Sequence, residues 1–151
     1  MKSLSKLSFT LLLCLTTAAS FSQTLPATKP RIFGNYPNTI NCSVSEFSNA
    51  FTAAEGQRII LSFSDNFTFS GTIISNVVKY SNLQSITIRS DQSEKTIFQL
   101  SKQINDDNSV SYVGRILNPT ASDGYKIKRD DAGNYQFEKI SAETVLQECN
   151  L

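Results

Sequence analysis

Residues 57–80 read QRIILSFSDNFTFSGTIISNVVKY. Apolar side chains at Ile59, Leu61 and Phe63, then at Phe67 and Phe69, recur at every second position, with Ser64, Asp65 and Asn66 between the two runs. Period two sends alternate side chains to opposite faces of a strand. Ser, Asp and Asn bond their own backbone and build turns. The stretch therefore predicts an antiparallel hairpin with one apolar face. After Gly71 the apolar residues double, at Ile73–Ile74 and Val77–Val78. Doubling marks a bulge or bend that moves the strand's inner face over.

The same signature runs on towards the C-terminus. LQSITIRS, KTIFQLS, SVSYVGRIL, GYKIKR and NYQFEKI each alternate, and SN, SDQSE, NDDNS, NPTASDG and DDAGN separate them. Short connections of turn residues make consecutive strands antiparallel neighbours. Seven strands in a meander are expected.

Upstream, CSVSEFSNAFTAAEG (residues 42–56) changes to helical spacing. Val44, Phe47, Phe51 and Ala54 form a stripe with Ala50 beside them, Ser43 and Glu46 read as a capping box, and Gly56 as a stop. At the other end, SAETVLQEC (141–149) places Ala142, Val145, Leu146 and Cys149 at i, i+3, i+4 and i+7 behind the candidate cap Ser141. The expected fold is α+β: a curved antiparallel meander sheet of about seven strands, open or partly closed, with an N-terminal and a C-terminal helix packed on one face.

The N-terminus carries Lys2 and Lys6, then an apolar run centred on Leu11, Leu12, Leu13 and Leu15, then Ala18, Ala19, Ser20 and Ser22. Basic, apolar and small residues in that order read as a secretory signal peptide, cleaved after Ser22 or, alternatively, after Ala19. Residues 1–22 are read as the signal, 23–41 as an extended leader rich in proline, and 42–151 as one domain. Cleavage removes two lysines and no acid, leaving 12 basic against 13 acidic residues in a chain of 129. A charge of −1 gives no long-range field for nucleic acid. No stable membrane insertion is expected once the signal is gone.

Cys14 leaves with the signal, so Cys42 and Cys149 remain. In an exported domain of this size two cysteines predict one disulfide. Two buried thiols or an intermolecular bridge are the alternatives.

The sequence offers little to catalysis. Histidine and tryptophan are absent, which excludes Ser-His-Asp and Cys-His nucleophiles and His-ligated metal. The glycines are too scattered for a phosphate cradle. The carboxylates have structural explanations: Glu46 and Glu143 at helix starts, Asp65, Asp123 and the other aspartates in turns, and Glu138 on the solvent side of a strand. Neither NDDNS nor RDDAGNY has the spacing of a calcium loop. No catalytic residue, metal or cofactor is expected. Asn41 and Asn66 match the N-glycosylation pattern.

One constellation remains. YKIKRDD sets Lys126 and Lys128 on one strand face with Arg129 beside them, a candidate partner-binding site or a solvated face that discourages edge pairing. The expectation for function is a non-catalytic binding or inhibitory protein, secreted, periplasmic or on the cell surface, acting through its sheet face or hairpin loops. Its partner would be a protein or glycan outside the cytoplasm. A small apolar-ligand carrier with a pocket under the curved sheet, or a structural or adhesive surface component, are the alternatives.

Overall fold

The structure is a computed structural model and describes residues 29–142. The signal peptide, the leader before Lys29, Cys149 and nearly all of the expected C-terminal helix lie outside the described residues.

Eight strands form one antiparallel sheet: β1 Thr39–Cys42, β2 Arg58–Ser64, β3 Phe67–Tyr80, β4 Leu83–Ser90, β5 Ile97–Ile104, β6 Val110–Leu117, β7 Asp123–Arg129 and β8 Tyr135–Ser141. A single helix, α1 Val44–Ala50, follows β1. The order across the sheet is β1-β8-β7-β6-β5-β4-β3-β2. Strands β2 to β8 are the meander expected from the alternating pattern, and β1 joins it beside β8. The edges β1 and β2 are separated in sequence only by residues 43–57. So short a connection forces the sheet to roll until its edges meet, and they touch. The result is a nearly closed barrel.

The α+β expectation is corrected in its strand count: the sheet has eight strands rather than seven, and among the described residues α1 is the one complete helix. Ser141, the expected helix cap, is the last residue of β8, paired with Asp123, and helical backbone begins at Ala142 after it. Strand β1 lies in the stretch read as an extended leader, where its four residues carry only one inward apolar side chain, Ile40, and so no period-two pattern.

Helix α1 is also shorter than its apolar stripe. Phe47 and Ala50 are fully buried, but Val44 is exposed, and Ala53 rather than Ala54 turns inward. The turn that follows the helix is held by a distant side chain: Asn76 Nδ2 donates to Phe51 O, at the C-cap, at 3.3 Å and to Ala53 O at 2.8 Å. At its start the expected capping box is half made. Ser43 Oγ accepts the Ser45 amide at 3.3 Å, while Glu46 reaches across to accept the Ser62 amide of β2 at 2.9 Å. Glu46 thereby ties the helix to an edge strand.

The bulge expected in β3 is present. The register against β4 shifts between Ile73 and Ser75, so Ile73 stays fully buried while Ile74 turns outward. Beyond it Val77 and Val78 are both exposed, because β3 and its neighbours run past the core.

Aromatic rings fill the interior. Phe137 lies at the centre with ring centroids of Phe63 at 4.8 Å, Phe98 at 5.7 Å, Phe67 at 5.8 Å, Tyr125 at 6.0 Å and Phe47 at 6.2 Å. Most of these contacts are edge-to-face, the arrangement that aromatic quadrupoles favour. Helix α1 closes one end of the barrel through Phe47, which packs on Tyr112 and Tyr135.

Residues 30–38 close the other end. Pro30 O accepts the Ser122 amide at 3.0 Å, Lys139 Nζ donates to Tyr36 O at 2.6 Å, and the Tyr125 hydroxyl donates to Pro37 O. Phe33 is buried against Tyr125, and Tyr36 packs on Phe67.

Candidate functional site

The acids and the thiol show what chemistry the fold leaves open. Asp123, expected in a turn, instead opens β7 and is buried. Its carboxylate accepts the amides of Ile32 at 2.9 Å and Phe33 at 3.1 Å, so it fastens the cap segment. Asp107 and Asp130 lie in hairpin turns, where hydrogen bonds from Ser109 and from Asn134 hold their carboxyls below the usual range. Burial pushes the Cys42 thiol up to about 12, against the lowering effect of the Phe137 backbone. A neutral thiol is a poor nucleophile. Among the described residues no three His, Cys, Asp or Glu side chains gather as a metal site.

The cationic residues picked out by the sequence are only partly brought together. Lys126 and Lys128 project from the outer face of β7 and share Glu138 of β8, at 3.4 and 3.7 Å. Glu138 lies on the solvent side, where it was expected. Arg129 turns away: its Nε donates to Gly133 O at 3.1 Å and its guanidinium lies 5.8 Å from the Tyr135 ring centroid. It belongs to the β7–β8 hairpin and not to the lysine face.

The two lysines border a break in the barrel wall. Strands β5 and β6 pair along their whole lengths, yet β6 and β7 share only Arg115↔Lys126 and Ile116↔Tyr125. Below that point the strands part. A cleft of about 380 Å³ lies along the seam, lined by Ser101, Val113, Gly114, Arg115, Lys126 and Ile127 among others. Val113 is 66% exposed. Arg115 Nε donates to Gln99 Oε1 at 3.0 Å on the same surface.

Gly114 stands where the seam begins. A Cβ on it would stand 2.6 Å from Gln99 O of β5 and 2.9 Å from Ile127 Cδ1 of β7, so no side chain fits between the strands at this point. Tyr135, reaching from β8, fills part of the opening: its hydroxyl accepts the Tyr112 amide at 3.1 Å, a bond that a neighbouring strand would otherwise make. The Tyr112 hydroxyl in turn meets Ser48 Oγ of α1 at 2.8 Å.

Sequence reasoning missed Val113, Gly114, Arg115 and Ile127 as site residues. Two signals were present in SYVGRI: a glycine inside a strand, and a β-branched residue on its solvent parity. Comparison of the chain with protein-family models, curated proteins and solved structures returned no match.

Proposed function

We propose that this chain is an exported, non-catalytic binding protein that engages an acidic macromolecule outside the cytoplasm through the outer face of β6 and β7. The observation that carries this reading is the seam: a cleft of about 380 Å³ with an apolar floor, lined by Arg115 and Lys126 with Lys128 further along β7, in the wall of a barrel whose interior is filled. Exposed apolar surface beside cations that outnumber their one shared counter-ion, Glu138, is the composition of a docking surface. The packed aromatic interior favours a surface binder over a carrier of an internal apolar ligand. The absence of histidine and the structural engagement of Asp123 favour binding over catalysis.

Export and the Cys42–Cys149 bond belong to the same proposal. Cys42 ends β1 beside Tyr135, at the opposite end of β8 from Ser141. Strand geometry puts the two ends of β8 about 20 Å apart. A helix from Ala142 to Cys149 would advance only about 10 Å. The disulfide and a continuous C-terminal helix therefore exclude one another, and we favour the disulfide. Mass mapping of unreduced peptides should recover the Cys42–Cys149 linkage; recovery of both cysteines as thiols would refute it.

The function is tested by affinity capture with the full exported chain. The Lys126→Glu/Lys128→Glu double variant should retain an acidic extracellular partner at least tenfold less well than wild type. Equal retention by the two proteins would contradict the reading.

A further inference from the structure

We infer that the lower half of β6, residues 110–114, is a receptor edge that takes an extended acidic peptide as an added strand, with Tyr135 holding the place until the peptide arrives. The inference rests on the proposed binding function and names the form that the partner takes.

In an antiparallel sheet both backbone polar groups of a residue point to the same neighbour, and the direction alternates along the strand. The Tyr112 amide points to the β7 side, because it donates to the Tyr135 hydroxyl there. Val110 and Gly114 therefore present their amides and carbonyls on that side as well. The ladder with β7 ends at Arg115↔Lys126, a pair closed on this side by the Ile127 amide donating to Gly114 O, so the polar groups of Val110, the Tyr112 carbonyl and the Gly114 amide face the seam and not a strand. By the same alternation the Ile127 carbonyl and both polar groups of Arg129 face it from β7, since Tyr125 lies opposite Ile116.

Five residues of free edge span about 16 Å, enough for a short strand. Unpaired edges template strand addition, with main-chain bonds for affinity and alternate side chains for choice of partner. Charge decides the partner here. Outward side chains of an added strand would meet Arg115, Lys126 and Lys128, whose shared counter-ion is Glu138. The surplus is positive, so acidic side chains are favoured at those positions. Inward positions would meet Ile127 and the Tyr135 ring, which suit valine.

Tyr135 gives the inference its sharpest consequence. An incoming strand must replace the phenol oxygen as acceptor for the Tyr112 amide. Removing that oxygen should weaken the barrel and yet strengthen peptide binding, whereas a purely structural tyrosine would give the first effect alone.

The probe is acetyl-Val-Glu-Val-Glu-Val-Glu-amide, titrated into the full exported chain by calorimetry. It should bind at least tenfold more tightly than its Lys-for-Glu counterpart, and Lys126→Glu/Lys128→Glu should reverse that preference. Methylation of the peptide's backbone nitrogens should cost at least tenfold, and Tyr135→Phe should tighten binding severalfold. No binding by the acidic peptide, or a methylated peptide binding as well as its parent, would overturn strand addition. The second outcome leaves a charge-based surface binder standing, while a Lys126/Lys128 variant with unchanged preference removes both readings. Should Tyr135→Phe fail to fold, amide exchange in the wild type decides: Val110, Tyr112 and Gly114 should become protected on adding peptide, and unchanged exchange would overturn the inference. Concentration-dependent dimerisation through this edge would replace the peptide with a second copy of the chain.

Discussion

Tyr125 shows how one side chain couples the cap to the barrel. Its ring is fully buried beneath Phe33, and its hydroxyl donates to Pro37 O. Burial pushes the phenol up to about 12, with Asp123 and Tyr36 adding to the rise. The native state thus holds this proton more tightly than the unfolded chain, whose tyrosines titrate near 10. The resulting stability is fully present below about pH 10 and is lost as pH rises towards 12. Urea midpoints measured from pH 9 to 12 should fall more steeply for wild type than for Tyr125→Phe; parallel curves would refute the coupling. Asp123 acts on the same segment from the other side. Asp123→Ala leaves the Ile32 and Phe33 amides without their carboxylate acceptor and should cost about 2 kcal/mol, with faster amide exchange confined at first to the cap segment. Loss of a hydrolytic activity with unchanged stability would instead make Asp123 an active-site group.

At the scale of elements, the fold was legible wherever a residue's partner lies next to it along the chain. Strands β2 to β8 alternate in register with their immediate neighbours, so period two and turn chemistry were sufficient. Two features were hidden because their partners are remote. Strand β1 depends on β8, nearly a hundred residues away, and the turn after α1 depends on Asn76. Asn76→Ala should therefore destabilise the protein by about 1–3 kcal/mol through two orphaned carbonyls, read as a lower urea midpoint at unchanged slope. A change below about 0.3 kcal/mol would show that solvent satisfies these carbonyls equally well. The site divides in the same way. Lys126 and Lys128 could be placed on a solvent face by alternation alone. The seam could not be foreseen, because no local pattern says where the β6–β7 ladder stops or that Tyr135 of β8 reaches the Tyr112 amide. Gly114→Ala should cost about 1–3 kcal/mol, since its methyl group would meet a backbone carbonyl that cannot move aside.

The whole molecule combines a rigid interior with an interrupted wall. Phe137 packs against rings from α1, β2, β3, β5 and β7, so Phe137→Ala should cost about 3–5 kcal/mol and lower thermal stability without altering the seam's charge. Such a centre fixes the barrel's shape, which allows the wall to part in one place while the rest stays closed. Residue-by-residue amide hydrogen exchange on the full exported chain tests that claim most directly. The account predicts fast exchange at Val110 and Gly114 beside strong protection at Ile116, Tyr125 and Phe137. Uniform protection through residues 110–117 and 123–129 would mean a continuous ladder between β6 and β7, and would contradict it.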